Sequence, residues 1–485
     1  MKKENPIRFG TDGWRAIIAK EFTFDNAKIV AQAIADHINE LGQGIQGIVI
    51  GYDTRFMADE FAKLAAEVMT GNHIQALLVQ KPTPTPVIAH AVKQHDAAGA
   101  IMFTASHNPA HYMGLKFIPD YAGPANTKIT KRLEELIARI GQQGSIKATS
   151  FDHALTTGRI QMIDPDARYV ADLKKLIRFD AIRSSRMLVV TDAMHGAGSG
   201  YVSGLLDEAF CDVTALHEQR DPLFGGRMPE PAAQHLGELR TSVLYQRADL
   251  GLANDGDADR FGIIDDKGNY LPPNLVMALL LHHLVVNRKQ QGLVVRTVAT
   301  THLLDRIAKS FGLQVMETPV GFKYIGEAML RENVLIGGEE SGGLSIQGHL
   351  PEKDGILADL LIAEMCAMEG KPLSQIVDRL YDTYGRIHAV RLDLHATEAR
   401  KAELLQQFAL HPPQEFAGVQ VDHVLTIDGH KFLLEDGSWV LVRPSGTEPL
   451  LRVYVEAGSE ERLEALRTAV EKLVGVTSRA AHHAS

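Results

Sequence analysis

The chain has 485 residues, 45% hydrophobic and 23% charged, ordinary globular usage but more chain than one hydrophobic core usually organises, so two to four domains are expected. A formal net charge of −10 argues against a nucleic-acid partner, which is normally gripped by clustered Lys and Arg, and points to phosphate held, if at all, in small local pockets. Two cysteines, Cys211 and Cys366, without C-x-x-C spacing, exclude a disulfide framework and suggest neither zinc nor redox chemistry.

The opening residues MKKENPIRFG lack the apolar run of a signal peptide, and no later stretch approaches the roughly 18 apolar residues of a membrane span, so a cytoplasmic protein without a membrane partner is expected. After Thr23, an N-cap residue type, Val30, Ile34, His37, Ile38 and Leu41 recur at helical spacing, and Gly42 supplies a stop. A β-rich run, Gly47 to Ile50, follows. The segment KPTPTPV, Lys81 to Val87, reads as an extended connection ahead of a helical pattern through Ala89 and Val92. Next, the apolar stretch AAGAIMF stops abruptly in the polar loop TASHNP.

The same unit returns twice. Met187 to Val190 leads to ADLGLA and the loop NDGDADR, and Leu293 to Val298 leads to ENVLI and the loop GGEESGG. Strands alternating with helical patterns predict parallel-rich α/β sheets whose ligands gather beyond the carboxyl ends of strands, where these three loops lie. Beyond about Tyr384 the pattern changes to separate strands, a hairpin from Trp439 to Val455 around RPSGTEP, and a last helix from Glu460 to Val474, a smaller α+β domain.

Each loop carries its own chemistry. In Thr104-Ala-Ser-His-Asn-Pro109, Pro109 restrains Asn108 and the loop presents the Ser106 hydroxyl. Ser106 and His107 are adjacent, so their side chains diverge in extended backbone, and no G-x-S-x-G elbow is present; a Ser-His hydrolase dyad is not expected. Asp255, Asp257 and Asp259 stand at i, i+2 and i+4, a set of oxygen donors suited to Mg²⁺, whereas the Gly and Glu that an EF-hand needs are replaced by Arg260 and Asp266. In GGEESGG, Gly337 to Gly343, carboxylates and a hydroxyl offer acceptors for sugar hydroxyls and no cation for a phosphate. Arg443-Pro-Ser-Gly-Thr-Glu-Pro449 joins a guanidinium, two hydroxyls and a glycine N–H, a set that suits a phosphate dianion.

Taken in order, FGTDGWR at Phe9 to Arg15, TASHNP, DGDADR, GEESGG and RPSGTEP resemble the α-D-phosphohexomutase family of phosphoglucomutases and phosphomannomutases, nearly end to end. The resemblance implies three similar α/β domains with mixed sheets, residues 1–153, 154–269 and 270–385, a C-terminal α+β domain, 386–485, and an active site in the central cleft. It implies that Ser106 is the phosphoserine, that Ser106, Asp255, Asp257 and Asp259 hold Mg²⁺, and that Arg15 and Arg260 lie beside the phosphoserine. Glu339 and Ser341 would read the sugar's 3- and 4-hydroxyls, Lys323 in TPVGFKYI would lie in another substrate loop, and Arg443, Ser445, Gly446 and Thr447 would form the distal phosphate site.

Two positions depart from patterns seen in the family. Met113 stands in Tyr112-Met113-Gly114-Leu115-Lys116 where the family commonly has Asn, and Gly343 stands where some mannose-handling members carry His. With Glu352-Lys353-Asp354-Gly355, the missing His tilts the reading toward glucose phosphate.

The expected reaction interconverts hexose 1- and 6-phosphates through phospho-Ser106 and a hexose 1,6-bisphosphate, with glucose 1,6-bisphosphate as activator or intermediate. His107, Lys116 and Lys353 are the candidate bases. The protein would act as a monomer or homodimer on a small hexose phosphate. The other readings are a phosphomannomutase or dual-specificity mutase, a glucose 1,6-bisphosphate synthase, and a sugar-phosphate-binding protein without catalysis. An NAD-binding oxidoreductase fails because Gly196, Gly198 and Gly200 lack the third glycine spacing of the dinucleotide fingerprint.

Overall fold

The computed structural model describes residues 7–9, 13–444 and 450–475, and the backbone of 482–484. Four sheets follow one another along the chain. The first holds β1 (Trp14–Ile17), β2 (Ile48–Tyr52), β3 (Ala76–Val79), β4 (Gly99–Phe103), β5 (Tyr112–Pro119) and β6 (Ile160–Ile163) in the order β1-β5-β4-β2-β3-β6. The second holds β7 (Leu188–Asp192), β8 (Asp212–Leu216), β9 (Leu250–Asn254), β10 (Phe261–Ile264) and β11 (Tyr270–Leu271) in the order β11-β10-β9-β7-β8. In the third, β12 (Leu293–Thr297), β13 (Val315–Thr318), β14 (Val334–Gly338) and β15 (Leu344–Ile346) run β13-β12-β14-β15.

The repeat read from sequence is a repeat of topology. Strands β4, β2 and β3 are parallel neighbours, as are β9, β7 and β8, and β14, β12 and β13. In each domain the next strand, β5, β10 or β15, turns back antiparallel on β4, β9 or β14. The sheets are therefore mixed, and the three polar loops occupy one equivalent turn, between the last parallel strand and its antiparallel partner.

Parallel strands are apolar on both faces because helices cover both. The first domain closes its own core, with Phe22, Phe61, Phe103 and Ile34 among its buried side chains. The second and third share one. The helix Gly355–Glu369, buried almost all round, belongs to the third domain in sequence yet packs on β9 and β10 of the second as well as on β15. That sharing fixes the acidic loop after β9 relative to the GGEESGG loop after β14.

The fourth sheet is antiparallel: β16 (His388–His395), β17 (Glu415–Phe416), β18 (Val419–Leu425), β19 (His430–Leu434), β20 (Trp439–Pro444), β21 (Leu450–Ala457) and β22 (His482–Ala484), ordered β17-β18-β19-β20-β21-β16-β22. The helix Glu460–Val474, capped by Ser459, covers one face. On the other face Trp439, Leu441 and Tyr454 pack against Val298 and Ala299 of the third domain.

Two expectations need correction. Strand β6 pairs with β3, so the first sheet extends past residue 153, to Ile163, and β11 carries the second sheet past residue 269. The Pro-rich segment is not a connection throughout: a helix spans Thr85–Gln94, with Pro86 in its first turn, where a missing N–H costs nothing. The helix Phe24–Glu40 is as expected, with the Thr23 hydroxyl accepting from Asn26 N.

Candidate active site

Ser106 sits at the end of β4 with φ +50°, a left-handed conformation that costs a non-glycine residue and persists only where its surroundings over-determine it. Those surroundings are visible. Its N–H donates to Thr104 Oγ1 at 2.8 Å, and Thr104 Oγ1 donates to Asp53 Oδ2 at 2.7 Å. Asp53 accepts from Arg55 N and Nε at 2.9 and 3.1 Å. Arg55 in turn reaches into the loop: Nη2 donates to the carbonyls of Ser106 and Asn108, and Nη1 to those of Pro109 and Tyr112. The loop's carbonyls are thus organised by one buried guanidinium, which also stacks 4.9 Å over the Phe224 ring of the second domain.

The Ser106 hydroxyl crosses between domains. It donates to Asp255 Oδ2 at 2.7 Å and lies 3.3 Å from His107 Nδ1. Asp257 is held from the first domain too: its Oδ2 accepts from Thr85 Oγ1 at 2.5 Å and its carbonyl accepts from Thr85 N at 2.9 Å. Lys116, on β5, donates to Oδ2 of both Asp257 and Asp259 at 2.9 and 2.8 Å, and Lys353 lies 2.9 Å from Asp259 Oδ2. Asp354, which follows Lys353, caps the helix Gly355–Glu369 by accepting from Leu357 N and so fixes where Lys353 starts. Met113, the departure from the family pattern, is a core residue alongside Leu115, on the strand face opposite Lys116.

Three buried carboxylates with ligand atoms within 4.8 Å of one another repel strongly. Burial first, then the charges of Asp257 and Asp259, push the Asp255 pKa well above the usual carboxylate value. Burial pushes Asp259 the same way, but Lys116, Lys353 and Arg260 override it and hold Asp259 well below. Oδ1 of Asp257 and Oδ1 of Asp259 are buried and accept no hydrogen bond among the described residues. Clustered hard oxygen donors, partly unpaired, with one carboxylate destabilised as an anion, fit a divalent cation such as Mg²⁺.

Arg15, on β1, donates from Nη1 to Asn108 Oδ1 at 2.8 Å, which places it against the serine loop. Arg260 anchors the acidic loop through its N–H to Asp255 Oδ1 at 3.1 Å, while its Nε stands 3.9 Å from Asp259 Oδ1. Burial, with Arg260 and Arg15 nearby, drops the His107 pKa well below its ordinary value, so the imidazole is neutral.

Glu339 is buried and its Oε1 accepts from Gly321 N at 2.9 Å. Burial, reinforced by the Glu340 charge, raises its pKa to about 7. Ser341 lines a cleft with Arg260, Glu340, Asn274, Arg391 and Tyr454, between the second, third and fourth domains. Lys323 lies in the first turn of the helix Phe322–Arg331 with its ammonium 5.1 Å over the Tyr324 ring. Arg443 is the next-to-last residue of β20 and pairs with Asp428 at 3.0 Å. Ser445, Gly446 and Thr447 lie outside the described residues.

Sequence reasoning missed Arg55 and Thr85. The signal for Arg55 was an Asp-x-Arg directly after an apolar strand, GYDTR, a charged pair where the chain had just been buried. Thr85 gave none, because its partner Asp257 is 172 positions away.

Comparison with known proteins identifies the family of the chain. Four family models match: phosphoglucomutase/phosphomannomutase α/β/α domain I over residues 6–144, domain II over 167–268, domain III over 272–384, and the C-terminal domain over 394–473. A Thermococcus kodakarensis phosphoglucomutase/phosphomannomutase is 33% identical over 94% of this chain and 95% of its own. A Methanothermobacter thermautotrophicus protein described as a "probable phosphoglucosamine mutase" is 31% identical over 98% of this chain and 100% of its own. A Thermus thermophilus crystal structure described as a "putative phosphomannomutase" superposes with a TM-score of 0.82 at 35% identity, covering 97% of this chain and 99% of that one.

Proposed function

The chain belongs to the phosphoglucomutase/phosphomannomutase family of phosphohexomutases, and from that premise we propose that it interconverts the 1- and 6-phosphates of a hexose, glucose first, through phospho-Ser106 and a hexose 1,6-bisphosphate. One observation carries the reading. The Ser106 hydroxyl, in a strained and tightly bonded loop of the first domain, meets the buried carboxylate cluster of the second at 2.7 Å.

Phosphoryl transfer needs negative charge neutralised and reacting oxygens aligned more than it needs covalent help from the protein. Asp255, Asp257 and Asp259 are the residues that would hold Mg²⁺, which when bound supplies positive charge beside the Ser106 phosphate. Arg15 and Arg260 add cationic charge at the serine loop. In the first half of the cycle the P–Oγ bond of phospho-Ser106 breaks, a P–O bond to O1 or O6 of the hexose phosphate forms, and the sugar hydroxyl loses its proton to a base. In the second half the P–O bond to the other sugar oxygen breaks, that phosphoryl group forms a P–O bond to Ser106 Oγ, the freed sugar oxygen takes up a proton and the serine hydroxyl gives its own to a base. Neutral His107, 3.3 Å from Oγ, suits that acceptor better than Lys116, which donates to two carboxylates. No phosphate is lost to water in the net reaction.

Between the halves the bisphosphate turns over, so the site at Arg443, Ser445, Gly446 and Thr447 must accept either phosphate while Glu339, Ser341 and Lys323 meet the sugar. An amino-sugar phosphate is the second reading, because a relative described as a phosphoglucosamine mutase aligns over nearly all of both chains.

Incubation with glucose 1,6-bisphosphate followed by intact-mass and peptide mapping tests the reading. Phosphate is expected on Ser106, with Ser106→Ala inactive. Phosphate mapped elsewhere, or an active Ser106→Ala, would refute it. Assays on glucose, mannose and glucosamine 1-phosphates then decide the sugar.

A further inference from the structure

Asp428, in the turn between β18 and β19, joins two parts of the cleft that belong to different domains. Its Oδ2 accepts from Val320 N, in the third domain, at 3.0 Å, and the same oxygen pairs with Arg443 Nη2 at 3.0 Å. The next N–H, that of Gly321, goes to Glu339 Oε1 at 2.9 Å. Two consecutive backbone donors of the 318–324 segment are thus taken by Asp428 and by the sugar-loop acid. Gly429 lets the turn come this close: at φ +85° its absent Cβ would stand 2.7 Å from Arg443 Cβ and 2.5 Å from Val442 O.

We propose that Asp428 is a positioning residue that occupies Arg443 while the distal site is free of phosphate, yields the guanidinium when a phosphate arrives, and takes it back when the phosphate leaves. The idea rests on the reading of Arg443 as a phosphate ligand. The pair is only partly exposed, with 14% of the Arg443 side chain and 21% of that of Asp428 reaching solvent, so an unpartnered guanidinium there is costly. A phosphate dianion, with more charge and three acceptor oxygens, outcompetes a single carboxylate for the guanidinium fork. Arriving phosphate therefore wins Arg443 at a cost in affinity, while Asp428 still accepts from Val320 N and keeps the substrate segment in place. The reverse exchange matters as much. A bisphosphate that must turn over has to release its distal phosphate every cycle, and a guanidinium with a second anion waiting releases it more readily than one left bare.

Asp428→Asn keeps an acceptor for Val320 N–H and removes the competing charge. Inorganic phosphate titrated calorimetrically into the full-length protein should then bind about threefold more tightly, the scale of a partly exposed ion pair, and in the isomerisation assay KM and kcat should fall together. Unchanged or weaker phosphate binding overturns the proposal. In an Arg443→Ala background the substitution should no longer alter phosphate affinity; a gain that persists also overturns it. Should Asp428→Asn unfold, Asp428→Ser removes the same charge and is read in the same way. Phosphate binding that responds as expected in a protein without mutase turnover would leave this role standing and sink the proposed function instead.

Discussion

Arg55 Nη2 donates to the Ser106 carbonyl oxygen at 2.6 Å from a side chain with no solvent exposure. The fork makes four bonds to loop carbonyls and its Nε a fifth to Asp53, a geometry that a lysine cannot reproduce. Arg55→Lys is therefore expected to fold but to let the serine loop drift, lowering kcat on the order of 10²-fold, the penalty for misplacing a reacting group by about 1 Å. Arg55→Ala leaves Asp53 buried and unpaired and should destabilise the first domain by roughly 3–5 kcal/mol. Thermal unfolding beside single-turnover phosphoryl transfer separates the two; an Arg55→Lys enzyme with full kcat would show that the clamp does not position Ser106.

The carboxylate cluster predicts a metal-dependent stability. Chelation with EDTA should abolish turnover, and Mg²⁺ at about 100 times its dissociation constant should add about 2.7 kcal/mol to the unfolding step that includes the second domain. Asp257→Asn removes the charge of a proposed ligand that Thr85 and Lys116 hold in place, and should weaken Mg²⁺ at least about tenfold, since donor charge count sets affinity at such sites. Titration calorimetry on the chelated protein measures it, and equal affinity in the variant would mean that the ion sits elsewhere.

Glu339 is expected to set a pH limb. Its pKa in the free protein is raised to about 7, so the carboxylate is largely protonated at pH 6 and ionised at pH 8. A sugar hydroxyl donates more strongly to the anion. For hexose phosphate, kcat/KM should rise with pH through about 7, and Glu339→Gln should flatten that rise while lowering the plateau. Stability runs the other way: an acid whose pKa is raised on folding binds more protons folded than unfolded between about 4.5 and 7, so its contribution is full below that window and is lost as pH rises through it. A rise of kcat/KM that persists unchanged in Glu339→Gln would assign the limb to another group.

How much of this could be read from the chain depends on the range of the interaction. Strand ends were legible because apolar runs stop where parallel strands emerge from between helices, as ADLGLA stops before Asn254 and Asp255. The last helix was legible because Ser459 caps it and its apolar spacing is local. The acidic triplet stands out because three like charges at i, i+2 and i+4 directly follow an apolar run, whereas Ser106, in a loop composition common to ordinary turns, is singled out by the order of the five motifs and their family resemblance. What brings them together could not be named. The bonds of Ser106 to Asp255, Thr85 to Asp257 and Lys116 to Asp259 span 149, 172 and 143 positions, and nothing in either local sequence marks the partner. Arg55 left a trace in GYDTR, a charged pair at a strand end, but the loop carbonyls it bonds lie 51 to 57 positions on and could not be named from it.

Gly343 offers the sharpest local test, because the family places His there in some mannose-handling members. A Cβ at residue 343 would stand 2.4 Å from Lys353 Cδ and 2.7 Å from Cγ, below any normal contact. The lysine stem can move, but its ammonium is 2.9 Å from Asp259 Oδ2, and the residue after it caps a buried helix, so the displacement falls on the ion pair rather than on the backbone. Gly343→Ala should push Lys353 off Asp259 and lower kcat by about tenfold or more with little change in global stability; Gly343→His should do so further. Restoring room with Gly343→Ala/Lys353→Ala should recover none of that activity if the lysine itself is needed, and most of it if only the clash matters. Steady-state kinetics on glucose and mannose 1-phosphates decide between the two, and a Gly343→Ala enzyme with unaltered kcat would mean that the Lys353 to Asp259 pairing is dispensable.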